Sequence, residues 1–134
     1  MKVLAMDYGE RYVGLAVTDD EGRMPMRHST IDQRREKAVP HVVAIVEEEK
    51  VSAVVVGVPF RMQGGDSEQT RACRRFIERL RLALPAGVSV AEIDERLTSK
   101  EAVRLIRAEG GKPEEEHAEA ARLMLADWLQ GQGL

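Results

Sequence analysis

Apolar positions near the N-terminus fall in short, strand-like runs, whereas farther along the chain they recur at helical spacing. Lys2 to Met6 is a brief apolar run followed by a glycine-containing turn. Tyr12 to Thr18 is β-branched and aromatic, with a polar end at Asp19-Asp20. The two read as a hairpin, with Gly9 at the turn and Gly14 inside the second strand. Asp20-Glu21-Gly22 is a further turn, and Met24 to Ile31 continues as a third antiparallel strand. The period then changes. Val39, Val42, Val43 and Val46 mark a helix over Val39 to Glu49, with Pro40 in its tolerant first turn. Ala53 to Val58 is a continuous apolar run, as expected of a strand covered on both faces. After a loop from Pro59 to Asp66, Ser67 to Leu84 predicts an amphipathic helix with Cys73, Phe76, Ile77, Leu80 and Leu84 inward. Val88 to Ile93 is the last strand. Thr98-Ser99-Lys100-Glu101 is a capping box opening a helix to Glu109, which Gly110-Gly111 ends. Pro113 and three glutamates open a final helix to about Gln130.

The order βββαβαβαα predicts an α/β fold. Its single mixed five-stranded sheet joins an antiparallel meander of the first three strands to parallel crossovers, with helices on both faces. At 134 residues, 43% hydrophobic and 32% charged, the chain is expected to be one globular domain over residues 1–134. No apolar run approaches the ~20 residues of a membrane span, and no secretory leader is evident, so a cytoplasmic protein without membrane contact is expected. The lone cysteine excludes an internal disulfide and a cysteine-based zinc site, and Cys73 reads as a small core residue.

A net charge of −3 argues against bulk electrostatic attraction to nucleic acid, but the charge is uneven. From Arg23 to Lys37 five basic residues face two acidic ones, and from Arg61 to Arg81 six face three. Arg71, Arg75 and Arg79 recur at helical spacing on a face distinct from the apolar one. With Arg61 and Arg11 near strand-end loops, they are candidate phosphate contacts. The alternative is a solvated helix face paired with Glu68 and Glu78.

Two strands end in acidic residues, the first at Asp7 and the fifth at Asp94-Glu95. A carboxylate at the end of a buried strand either caps the turn or pairs with a cation. If both strands lie near the sheet's centre, the carboxylates converge at the edge where open α/β sheets place ligands. Converging carboxylates call for a hard dication, Mg²⁺ or Mn²⁺, and such a site can hydrolyse a phosphodiester.

Three segments carry a resemblance. DYGERYVGLAVTD resembles the D-x-G-x-x-x-x-G-x-A-x-[ST]-D opening of the YqgF (RuvX-like) family of the RNase H-like superfamily. VVVGVPFRMQGG resembles its VVGLP strand and loop, and DERLTSKEA its D-E-R-L-T-[ST] motif. The match runs nearly end to end in the same order. It implies an RNase H-like fold and a metal-dependent nuclease, described in this family as resolving Holliday junctions or processing the 5′ end of precursor 16S ribosomal RNA. The implied partner is structured RNA or branched DNA, and symmetric cutting of two strands would favour a homodimer. Asp7 matches the family's first-strand metal aspartate, and Glu95, with Asp94 beside it, the second acidic position.

The family's third position is an aspartate in a D-x-x-A-A pattern of the last helix. Here that stretch is His117-Ala118-Glu119-Ala120-Ala121, so His117 takes its place. At ~100° per residue His117 shares a face with Ala121, Met124 and Trp128, while Glu119 points nearly opposite and Glu116, on the flank, is the nearest carboxylate substitute. The resemblance thus implies Asp7, Glu95 and His117 as metal ligands, with Asp94 in the catalytic set. A neutral imidazole suits Mn²⁺ better than Mg²⁺, so Mn²⁺ is favoured. The competing reading is a catalytically weak or inactive nucleic-acid-binding, ribosome-associated module of the same fold. An actin-like ATPase or sugar kinase also opens on an Asp-x-Gly hairpin, but its phosphate clamp needs two such domains.

Overall fold

A computed structural model describes residues 1–59, 67–94 and 108–131, except for the side chain of Pro113. The predicted loop from Pro59 to Asp66, with Arg61, and the segment holding Glu95 and the capping-box helix lie largely or wholly outside these. The elements are β1 (Lys2–Tyr8), β2 (Tyr12–Thr18), β3 (Pro25–Asp32), α1 (Ala38–Glu49), β4 (Val51–Val58), α2 (Glu68–Ala83), β5 (Ser89–Asp94) and α3 (Pro113–Gly131). Most bounds match the hydrophobic pattern within two residues. The consequential shift is in β1, which continues through Asp7, so that this carboxylate stands within the strand.

One sheet runs in the order β3-β2-β1-β4-β5. β1 pairs antiparallel with β2 and parallel with β4, and β5 lies parallel to β4 at the edge. Both crossovers step the same way across the sheet, so the right-handed rule puts α1 and α2 on one face. α3 covers the other. A centre holding both acidic strands is therefore not what forms: β1 is central, and β4 separates it from β5.

The two faces differ in side-chain size. Leu4 and Met6 of β1, Val13, Leu15 and Val17 of β2, and Val54, Val56 and Val58 of β4 are buried toward α1 and α2. They pack there against Val42, Ile45 and Val46 of α1 and Cys73, Phe76, Ile77 and Leu80 of α2. Cys73 is the core residue its neighbours suggested, and its thiol reaches the Gly57 carbonyl oxygen at 3.7 Å. Within α1, Ile45 takes the core place expected of Val43, which is only half-buried. Ser67 caps α2, its Oγ accepting the Thr70 N–H at 3.1 Å.

The α3 face presents Val3, Ala5, Ala16 and Val55, which pack with Ala121, Met124, Leu125 and Leu129. Small residues let the helix approach closely, and Gly14 is the limit of that approach. A β-carbon built on Gly14 would lie 1.9 Å from the His117 carbonyl oxygen and 2.9 Å from the Ala118 nitrogen. Gly14 thus serves for closeness as well as for the strand flexibility expected of it.

At its outer flank α3 meets the edge strand β3. Thr30 Oγ1 donates to the Glu114 carbonyl oxygen at 2.6 Å. Glu119 is only 7% exposed, contrary to the helical-wheel expectation that it points away. It accepts from Arg27 Nε of β3 at 2.9 Å and from Arg122 Nη2 at 2.8 Å. The wheel allows one buried side, whereas α3 lies over several strands and its second side meets Arg27. The Arg122 guanidinium, with Arg27 adding, holds the Glu119 carboxyl down at about 2, against the opposing effect of burial.

No helix among the described residues is long and apolar enough to cross a membrane.

Two stability measurements follow from this packing. The obstacle facing Gly14 is backbone, which cannot rotate aside, so Gly14→Ala should cost about 1–3 kcal/mol or more in urea unfolding. Gly131→Ala, with nothing within 4 Å of the added carbon, serves as a near-neutral control. Equal midpoints for the two variants would refute the close approach. Glu119→Gln removes a carboxylate whose folded pKa of about 2 lies below its ordinary 4.5. That carboxylate's contribution is complete above pH 4.5 and fades as pH falls toward 2. At ~1.4 kcal/mol per unit, reduced because both arginines are partly exposed, the loss at pH 7 should be on the order of 2 kcal/mol. The gap to the parent should close between pH 4.5 and 2; a gap independent of pH would mean that packing, not charge, is lost.

Candidate active site

Asp7 lies between two glycines. Its register partners are Gly14 on β2 and Gly57 on β4, so no β-carbon flanks its carboxylate on either neighbouring strand. Strand alternation puts Asp7 on the α3 face with Val3 and Ala5. The close approach at Gly14 then delivers the first turns of α3 to the same place. His117 Nδ1 lies 3.7 Å from Asp7 Oδ2, with side-chain exposures of 29% and 20%. That is too long for a direct hydrogen bond and leaves both groups open to a ligand. An oxygen and a nitrogen donor at this spacing fit part of the shell of a divalent cation such as Mn²⁺. Among the described residues no group of three or more His, Cys, Asp or Glu gathers in metal-binding geometry, so the pair is at most a partial shell.

Asp94 ends β5, where it pairs with Val58. Val58 belongs to the α1/α2 core, and Glu92, two residues back on the same side of β5, pairs with Arg74 of α2 at 3.7 Å. Asp94 therefore faces the α2 side and is not brought together with Asp7, which is on the opposite face. Two strand spacings also put β5 about 10 Å from β1. Glu95 lies outside the described residues.

The hairpin turn beside Asp7 is firmly held. Gly9 donates its N–H to the Tyr12 carbonyl oxygen at 3.0 Å, and a β-carbon on Gly9 would meet that oxygen at 2.7 Å. Gln33 Nε2 donates to the Gly9 carbonyl oxygen at 2.8 Å. Arg11 makes a two-pronged contact to Asp32, Nε to Oδ1 at 3.3 Å and Nη2 to Oδ2 at 3.2 Å. Arg11 is the main cause holding the Asp32 carboxyl below the usual range.

Of the other basic candidates, Arg71 and Arg75 both reach Glu68, at 3.0 and 3.5 Å, as the solvated-face alternative expected. Glu78 pairs instead with Arg81 at 2.7 Å. Even so, Arg71, Arg74, Arg75 and Arg79 line one shallow groove along α2. This groove belongs to the face opposite Asp7 and His117, although the N-terminus of α2 (Glu68, Gln69, Ala72) and the hairpin turn at Tyr8, Gly9 and Glu10 line a common cleft. Arg61 is outside the described residues. Arg74 escaped the sequence reading because it falls off the stripe of Arg71, Arg75 and Arg79. Gly57 escaped because it looked like one more small residue in an apolar run.

Comparison with known proteins identifies the family and the fold. The model of a family described as "RuvX: Holliday junction resolvase" matches residues 1–131. A Chloroflexus aurantiacus protein named "Putative pre-16S rRNA nuclease" is 38% identical over 132 residues, covering 95% of this chain and 85% of that protein. One of the same name from an Anaeromyxobacter species is 36% identical, covering 98% of both. Among solved structures, Thermus thermophilus RuvC in complex with a Holliday junction substrate superposes with a TM-score of 0.59 at 18% identity, covering 98% of this chain and 95% of that one. The α/β sheet and its two helical faces are thus those of RuvC, and the chain belongs to the RuvX family of nucleases.

Proposed function

We propose that this protein is a divalent-metal-dependent nuclease that hydrolyses phosphodiester bonds of structured nucleic acid, with precursor 16S rRNA and four-way DNA junctions as the candidate substrates. The observation that carries this reading is the Asp7–His117 pair, 3.7 Å apart, with a glycine on either side of the Asp7 carboxylate. The relatives' names and the family description support the substrate classes.

In this reading Asp7 supplies the charged oxygen ligand and His117 a neutral nitrogen. Glu95 is the further ligand we assign, because the family motif DERLT places its second acidic position there. Asp94 then has a lesser, indirect part. A bound dication would polarise the phosphoryl oxygens and lower the pKa of water. Asp7 and His117 would orient the ion, while the Arg71, Arg74, Arg75 and Arg79 groove would hold a phosphate backbone at a distance from the bond being cut. Arg11 and Arg61 are further proposed phosphate contacts. Cutting a four-way junction symmetrically would also require two copies related by a twofold axis. Histidine in place of the third carboxylate favours Mn²⁺ over Mg²⁺.

Parallel cleavage assays on precursor 16S RNA and a four-way junction, each with Mn²⁺ and Mg²⁺, test the reading. Asp7→Asn should abolish cleavage yet leave stability equal or higher without metal. Full activity in that variant would remove Asp7 from the mechanism. His117→Asp should raise activity with Mg²⁺, and His117→Ala should lower it with both ions. If neither the parent nor His117→Asp cleaves either substrate, a binding module is the better description. For the groove, replacing Arg71, Arg75 and Arg79 together should flatten the salt dependence of binding. The log–log slope should fall by up to about 0.9 for each phosphate that is no longer neutralised. An unchanged slope would leave these arginines as a solvated face.

A further inference from the structure

Tyr12 opens β2, opposite Asp32 of β3. Its ring lies against the His117 imidazole, with centroids 5.2 Å apart and planes tilted by 32°. The Arg11 guanidinium lies over the same phenol ring, 4.8 Å from its centroid, and is itself fixed by the two-pronged contact to Asp32. Asp32 in turn accepts the backbone N–H of Arg34 at 3.1 Å. A continuous set of contacts therefore runs from the end of β3 through Arg11 and Tyr12 to His117 and Asp7.

The link to Asp7 is the loose one. At 3.7 Å, Nδ1 and Oδ2 are beyond direct hydrogen-bonding distance, so Asp7 does not orient the imidazole. The helix fixes the His117 backbone, through the close approach at Gly14, but not the rotation of the ring about its side-chain bonds. Packing against Tyr12 restricts that rotation. Arg11 over the phenol restricts Tyr12 in the same way, with the cation over the electron-rich face of the ring.

We infer that Tyr12 is a positioning residue: by packing against His117 it holds the imidazole nitrogen toward Asp7, ready to share a divalent cation. This rests on the reading of Asp7 and His117 as metal ligands. The aromatic ring, not the hydroxyl, does the positioning, so Tyr12→Phe keeps the effect and Tyr12→Leu removes it. The strength of an aromatic contact sets the size of the change, about two- to tenfold in metal affinity.

The test uses the full chain without substrate and has two readouts. Proton NMR of the metal-free protein measures the nuclear Overhauser effect between the His117 ring and the Asp7 β-protons. Electron paramagnetic resonance measures the dissociation constant of Mn²⁺ for the parent, Tyr12→Phe, Tyr12→Leu and His117→Ala. In Tyr12→Leu the Overhauser effect is expected to vanish and Mn²⁺ to bind about two- to tenfold more weakly, while Tyr12→Phe matches the parent in both. Persistence of the His117–Asp7 effect in Tyr12→Leu overturns the inference. So does parental Mn²⁺ affinity in Tyr12→Leu when His117→Ala binds the ion more weakly. Should His117→Ala bind Mn²⁺ as tightly as the parent, the ligand reading fails, and the NMR measurement alone decides whether Tyr12 positions the ring. If Tyr12→Leu does not fold, Arg11→Ala takes its place. It must weaken the same Overhauser effect, and an undiminished one there overturns the inference.

Discussion

At one contact between the sheet and the last helix there is no room for a side chain. At Gly14 the backbone of β2 meets the backbone of α3 at His117 and Ala118 so closely that a single added carbon would overlap the carbonyl. Because Gly14 is the register partner of Asp7, this close approach is also where the central carboxylate stands. Packing and chemistry are therefore coupled. Whatever lets α3 settle fully onto the sheet also sets the distance between its first turns and Asp7. The small residues on that face, Ala5 and Ala16 beside Gly14, contribute by removing bulk, while the larger Leu4, Met6, Leu15 and Val17 serve the opposite core. The sheet is built with one thick side and one thin one.

Close approach alone would leave α3 free to swing about that point. The edge strand prevents this with polar bonds. Arg27 and Arg122 enclose the buried Glu119 carboxylate, and Thr30 holds the carbonyl oxygen of Glu114 in the first turn. A buried carboxylate with one partner removed is costly, so the arrangement is selective for one placement of the helix. Sliding α3 along β3 would strand Glu119 away from Arg27. The ion cluster thus sets position where the alanine and glycine surface sets only distance.

These features were unequally legible in the amino-acid sequence. Strands and helices were readable because a period of two or 3.6 is local, and Cys73, Phe76, Ile77 and Leu80 were placed in the core on that basis. Asp7 stood out as a carboxylate straight after an apolar run. What could not be read was nonlocal. Strand order decides that β5 is an edge and that Asp94 faces away from Asp7, and no local period encodes strand order. The helical wheel missed the burial of Glu119 because it knows nothing of Arg27, which is distant in sequence. The partnership of Tyr12 with His117 was likewise invisible, since each residue read only as a member of its own element. Gly57 was hidden by its neighbours: a glycine among valines gives no sign that it flanks a carboxylate on the next strand.

If His117 stands in place of a carboxylate, as proposed, the electrostatic balance of the site changes as well. Acidic side chains meeting at a sheet edge repel one another, and the protein without metal bears that repulsion. An imidazole in place of one of them would carry no negative charge and would relieve it, so the metal-free fold would lose less stability to such a site. The same substitution weakens the attraction for a hard dication, because less negative charge faces it. Orientation then matters more. A carboxylate offers two equivalent oxygens and tolerates some rotation, whereas an imidazole offers one lone pair in one direction, and only when neutral. A site that exchanges a carboxylate for an imidazole therefore depends on whatever fixes the plane of that ring. Here the ring lies against Tyr12, Tyr12 is covered by Arg11, and Arg11 is held by Asp32 at the end of the neighbouring strand. In the proposed site, lost charge would thus be offset by restricted geometry, supplied by the hairpin that also carries Asp7.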